Sequence, residues 1–153
     1  MTKKLSSLLL IAAAMFGVSA SQAHANMNIS ASICQSDDLD QTTDIDFYQA
    51  GIANVSSSKS HNVWCAVPRS PVEGDNASFW VDGYNPSGRK TYCGLTSYNY
   101  TGDVLSTVSM VMSNAGNYDK RVDVPSAQAS TWAYVTVNCE LPPGGKLYGV
   151  ITK

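Results

Sequence analysis

Closely spaced cysteines, a second usable histidine, an excess of base and a long apolar run are all missing from this 153-residue chain, and each absence closes a class of function. Cys34, Cys65, Cys93 and Cys139 contain no Cys-x-x-Cys spacing. Zinc ribbons and thioredoxin-type redox sites both need such pairs, so neither is expected. Histidine occurs only as His24 and His61, and His24 falls in a segment that reads as a removed leader. One imidazole builds no multi-histidine metal centre, and no Gly-x-Ser-x-Gly elbow marks a serine for it to serve. His61 therefore reads as a packed or rim residue beside Val63. The formal charge of −2 offers nothing to draw nucleic acid or an anionic membrane. The apolar run from Leu8 to Val18 is about eleven residues, well short of the roughly 20 that a spanning helix needs.

That run has a different meaning. Lys3 and Lys4 precede it, and small residues ending in Ala23-His24-Ala25 follow it, which is the order of a secretory signal peptide. Residues 1–25 are expected to be cleaved, leaving 26–153 as a single domain of 128 residues, enough to bury a proper core. Without the two lysines the mature part holds eight basic and twelve acidic residues, a formal charge of −4. The expected location is periplasmic or extracellular, with no integral membrane segment in the mature chain. In such a compartment four cysteines read as two disulfides.

Apolar residues recur in short stretches rich in Val, Tyr, Trp and Thr, and the period is two. From Trp132 to Leu141, Ala133, Val135, Val137, Cys139 and Leu141 share one face, and Trp132, Tyr134, Thr136, Asn138 and Glu140 the other. Val63, Cys65 and Val67 group in the same way, as do Phe79 with Val81 and Cys93 with Leu95. Gly-, Pro- and Asn-rich turns punctuate the runs, among them Asn85-Pro86-Ser87-Gly88, Thr101-Gly102-Asp103, Asn114-Ala115-Gly116-Asn117 and Pro142-Pro143-Gly144-Gly145. About eight strands at intervals near ten residues predict an all-β fold, an antiparallel sandwich of jelly-roll or immunoglobulin-like kind. Strands near 91–100, 104–113 and 118–124 are expected to form a meander, and Leu147 to Thr152 a last hairpin arm. Inward-facing Cys93 and Cys139 meet in the preferred pairing, leaving Cys34 for Cys65. This is one of three connectivities.

Candidate chemistry is sparse. Residues 35–46 are acidic and poor in strand formers, so they read as a surface loop; Asp37, Asp38, Asp40, Asp44 and Asp46 lack the calcium-loop spacing. No metal and no cofactor is expected. A hydrolytic carboxylate pair drawn from Glu73, Asp75, Asp82, Asp103 or Glu140 has no distance to support it. Asn-x-Ser/Thr triplets at Asn28, Asn54, Asn76 and Asn99 read as incidental.

The informative feature is aromatic. Alternation turns Trp64, Trp80, Tyr84, Tyr92, Tyr98, Tyr100, Trp132 and Tyr134 away from the core, and flat rings on one face of a sheet stack on sugar rings. Trp64, Trp80, Tyr98, Trp132 and Tyr134 are accordingly the candidate ligand-binding residues, with Asn62, Asp82 and Asn138 as hydrogen-bonding neighbours. The competing reading is that loops or the second sheet cover these rings, because a one-residue register error flips a face.

Trp64-Cys65-Ala66-Val67-Pro68-Arg69, Cys93-Gly94-Leu95 and Cys139-Glu140-Leu141-Pro142-Pro143 together resemble a loose set of uncharacterised secreted bacterial proteins with four cysteines along β-rich domains. The resemblance covers most of the mature chain and implies an exported β-sandwich. It carries over no catalytic or ligand residue. The expectation is thus an exported, non-enzymatic domain that binds a glycan or a surface protein, with a secreted carboxylate hydrolase or a surface-assembly subunit as alternatives.

Overall fold

Alternating runs leave one side of each strand apolar, and such strands are stable only when two sheets close those sides on each other. The computed structural model describes residues 27–37, 43–67, 77–125 and 133–152. Among them, eleven strands form two antiparallel sheets packed as a sandwich. The strands are Met27–Ser30 (β1), Gln35–Ser36 (β2), Ile45–Tyr48 (β3), Gly51–Asn54 (β4), His61–Val67 (β5), Ala77–Asn85 (β6), Thr91–Tyr98 (β7), Val104–Met112 (β8), Gly116–Val124 (β9), Tyr134–Leu141 (β10) and Lys146–Thr152 (β11). The five-stranded sheet runs β2-β5-β10-β7-β8 and the six-stranded sheet β3-β4-β11-β6-β9, with β1 also on β11. β11 serves two partners in turn: Lys146 and Leu147 face β4, and Gly149 to Thr152 face β1.

The core fills from both inner faces. Val63, Cys65, Leu95, Val137 and Cys139 come from the five-stranded sheet, and Ile52, Phe79, Val81, Leu147 and Val150 from the other; all are buried. β5 and β10 alternate as read from the sequence, with His61, Val63, Cys65 and Val67 inward and Asn62, Trp64 and Ala66 outward. Two disulfides lie in this core. Cys34 joins Cys65, and Cys93 joins Cys139 directly across the β7–β10 pair. With partners 31 and 46 positions apart in sequence, each restrains the unfolded chain by about 4 kcal/mol in the chain-entropy model.

Three features differ from the expectation. The strand count exceeds eight because β1, β2 and β3 are two to four residues long, too short for alternation to show. Two of these interrupt the acidic stretch: β2 covers Gln35 and Ser36, and Ile45 at the start of β3 is buried, while 38–42 lie outside the described residues. The expected meander breaks after β8, since β9 leaves for the other sheet and pairs with β6. Likewise β11 is not a hairpin arm of β10 but an interior strand of the opposite sheet.

Two buried asparagines account for these crossings. Asn85, at the end of β6, donates to the carbonyls of Met112 at 2.7 Å and Asn114 at 3.3 Å, and accepts from the Thr91 hydroxyl at 2.6 Å. It therefore latches the β8–β9 crossing to the β6–β7 turn. Asn54, ending β4, donates to Leu141 O and Lys59 O, both at 2.8 Å, while its own backbone N–H reaches Gly145 O at 2.9 Å. A side-chain amide so enclosed must find partners for its donors and acceptor, and the corners supply them. Its burial also removes Asn54 as a glycan acceptor.

Candidate functional site: two aromatic faces

Because neighbouring side chains on a strand point to opposite faces, the residues beside each inward one form the two outer surfaces of the sandwich. On the five-stranded sheet the outer surface is built from Trp64 on β5, Tyr134, Thr136, Asn138 and Glu140 on β10, Tyr92, Thr96 and Tyr98 on β7, and Thr107, Ser109 and Val111 on β8. Register sets the rows. Tyr134 stands opposite Tyr98; Trp64 opposite Asn138; Asn138 opposite Gly94; and Gly94 opposite Ser109. Trp64, Tyr92 and Tyr134 are exposed, Tyr134 to 65%. Tyr92 and Tyr98 are six positions apart, so the aromatic surface runs for about 20 Å along the strands.

Between the rings the sheet lies open. A Cβ placed on Gly94 would meet only the Thr107 methyl, at 3.9 Å. The bare backbone there is bordered by Tyr92, Thr96, Asn138 and Ser109, and the Thr96 and Thr107 hydroxyls bond to each other at 3.1 Å. Flat rings flank a polar floor of amide and hydroxyl groups, which is the mixture that a sugar's apolar face and hydroxyl rim require.

Trp80 does not belong to this surface. It points outward from β6, in the six-stranded sheet, and so lies on the opposite side of the molecule from Trp64. The expectation of one shared aromatic face is corrected accordingly: alternation tells which rings point out, but not from which sheet. Trp132 lies outside the described residues. Of the five candidates, Trp64, Tyr98 and Tyr134 are brought together, and Tyr92 joins them.

The second surface is occupied by its own charges. The Arg121 guanidinium stands 5.2 Å from the Trp80 ring centroid, anchored by Asp123 at 2.8 Å and by the Ser78 hydroxyl at 3.1 Å. Lys146 Nζ stands 6.0 Å from the Tyr84 ring. Asp82 and Asp119 face each other across the β6–β9 pair. Burial first, then repulsion from Asp119 and the hydrogen bond with it, push the Asp82 carboxyl up to about 6. On the inner side of β6, Tyr118 lies over Gly83, where a side chain would collide with it, and burial holds its phenol up at about 12.

In fold, the chain is similar to carbohydrate-binding modules. A family 35 carbohydrate binding module from Clostridium thermocellum superposes with a TM-score of 0.52 at 8% identity, over 84% of this chain and 97% of that one. A xylan-binding module superposes less closely, with a TM-score of 0.47 at 9% identity, over 84% of this chain and 95% of that one. At such identities the likeness is one of architecture and transfers no residue. No family model matches the chain, and no curated protein matches it in sequence.

The remaining candidates are scattered. Asp82 and Glu140 lie on opposite outer faces, so they do not form a catalytic pair. Asp103 closes the β7–β8 turn, where hydrogen bonds from Asn99 and Thr101 hold its carboxyl below the usual range. Glu73 and Asp75 lie outside the described residues. His61 is 2% exposed, and its Nε2 meets Asp44 Oδ2 at 3.0 Å, tying β5 to the chain before β3. Sequence reading missed both latching asparagines, because the carbonyls of Met112 and Leu141 that make them latches lie 27 and 87 residues away.

Proposed function

We propose that this protein is an exported, non-enzymatic carbohydrate-binding sandwich that lays a saccharide along the outer face of its five-stranded sheet. The leader of residues 1–25 delivers the domain of residues 26–153 to an oxidising compartment, where the two bridges form. Trp64, Tyr92, Tyr98 and Tyr134 supply stacking surfaces, and Asn138 and Glu140 supply hydrogen bonds to hydroxyls. One observation carries the reading: these rings share the outer face that holds the open backbone at Gly94, with no cation stacked on Trp64, Tyr92 or Tyr134 among the described residues, whereas Trp80 and Tyr84 each face a cation. The likeness in fold to a carbohydrate-binding module supports it.

Glycan-array and polysaccharide pull-down binding test the proposal. Trp64→Ala and Tyr134→Ala are each expected to weaken binding by roughly tenfold or more, the effect of losing one stacked ring, while Trp80→Ala leaves it unchanged. Failure of the wild type to bind any glycan removes the sugar reading. Equal loss in Trp80→Ala removes the assignment to this face.

A further inference from the structure

Two nine-residue strands end their sheets on the same flank of the sandwich, joined by a three-residue link, and they treat their outer edges differently. β9 reads Gly-Asn-Tyr-Asp-Lys-Arg-Val-Asp-Val. It carries Lys120 on its core-facing side, opposite buried Val81, which is a common guard against pairing with another strand. Antiparallel pairing of β9 with a copy of itself about Arg121 would also set Asp119 against Asp123, a like-charge opposition. β8 reads Val-Leu-Ser-Thr-Val-Ser-Met-Val-Met, without a charge, a proline or a glycine. Among the described residues no strand pairs with its far side.

The outward residues of β8 are Leu105, which stands at the register shift against β7, and then Thr107, Ser109 and Val111: apolar, hydroxyl, hydroxyl, apolar. That order is unchanged when the strand is reversed. We propose that β8 is a dimer edge, on which two copies of this chain pair antiparallel about a two-fold axis through Val108. Leu105 then meets Val111 of the second copy, and Thr107 meets Ser109 of the second copy, so each outward row joins like to like, while on the inward side Ser106 meets Met110. A two-fold contact uses one patch twice and needs a self-complementary pattern, which an unrelated partner strand would not require. Leu105 and Val111, 39% and 45% exposed, gain cover. β9 does not oppose the approach, because Asp119 and Asp123 are balanced by Lys120 and Arg121. The two five-stranded sheets become one continuous sheet with both aromatic surfaces on the same side, a bivalent arrangement for a repeating polymer. The dimer itself does not depend on the sugar reading.

Sedimentation equilibrium of the purified chain, with both disulfides intact, tests the edge without any glycan. The wild type is expected to be a concentration-dependent dimer. Thr107→Lys and Ser109→Glu, both at exposed positions, should each weaken it by about tenfold or more, because each puts a charge against an uncharged row. The Thr107→Lys/Ser109→Glu double variant should recover most of that loss, since in this register each introduced base faces an introduced acid of the second copy. Near-UV circular dichroism checks that the variants fold, and Ser109→Glu stands alone if Thr107→Lys does not. A monomeric wild type at the highest attainable concentration overturns the proposal. So does a dimer indifferent to both single changes, or a double variant no tighter than either.

Discussion

The two sheets of this sandwich are held by different means. Both disulfides belong to the five-stranded sheet: Cys65, Cys93 and Cys139 sit on β5, β7 and β10, and Cys34 immediately precedes β2. That sheet has a bare aromatic outer face and an uncharged edge. The six-stranded sheet has no disulfide, and its outer face is laced by Arg121 over Trp80, Arg121 with Asp123, and Asp82 against Asp119. Arg121 and its partners contribute to the stability of the six-stranded sheet from its outer face, whereas the five-stranded sheet is restrained by covalent links on its inner side.

The largest expected effect tests that restraint. Changing Cys93 and Cys139 together to serine should lower unfolding free energy by about 4 kcal/mol, read from urea melts, because the restraint on the unfolded chain is lost. A loss below about 1 kcal/mol would show that β7 and β10 hold together without the bridge, and that the contrast between the sheets is superficial.

The carboxyl pair offers a pH-dependent test of the other sheet. Asp82 in the folded chain is pushed up to about 6 from an ordinary value of 3.8, so folding favours its protonated form. Its contribution is complete below the ordinary value and lost as pH rises through about 6, when two facing carboxylates must both ionise. Because the carboxyl is only partly buried, water screens the pair and the loss should be on the order of 1 kcal/mol. Asp103 and Asp123, held below the usual range by hydrogen bonds from Asn99 and Ser78 respectively, act in the opposite sense and lose their contribution as pH falls. Urea melts from pH 4 to pH 8 should therefore show a decline between about pH 4 and pH 6, levelling off above it, that Asp82→Asn flattens. Glycan binding on the opposite face should not follow it.

How much of this was legible in the sequence differs by level. Alternation along β5, β6, β7 and β10 identified inward and outward residues one by one, because a half-buried strand must alternate and these strands are long enough to show it. Sheet membership was not legible. Asn114 to Gly116 and Pro142 to Gly145 have the chemistry of tight reversals, and that chemistry serves a hairpin and a crossing between sheets equally well. What distinguishes them is the distant amide of Asn85 or Asn54, which local pattern cannot reveal. The same gap placed Trp80 with Trp64: a ring known to point outward belongs to either outer face until strand order is known.

Arg121→Ala is the smallest and most discriminating change. Its ion pair with Asp123 joins side chains that are 56% and 52% exposed, so water and salt screen it heavily. Its position over Trp80 adds a cation–π contact of the exposed kind, and the two together should cost about 0.5–1 kcal/mol in urea melts at low salt. High salt should shrink the ion-pair part more than the ring contact, because the latter includes packing of the arginine stem. Trp64→Ala on the other sheet should show no comparable salt dependence, since no cation stacks on that ring among the described residues. If both variants lost equal stability with equal salt dependence, the open face would be as self-stabilised as the charged one, and exposure of Trp64 would no longer mark it for a ligand.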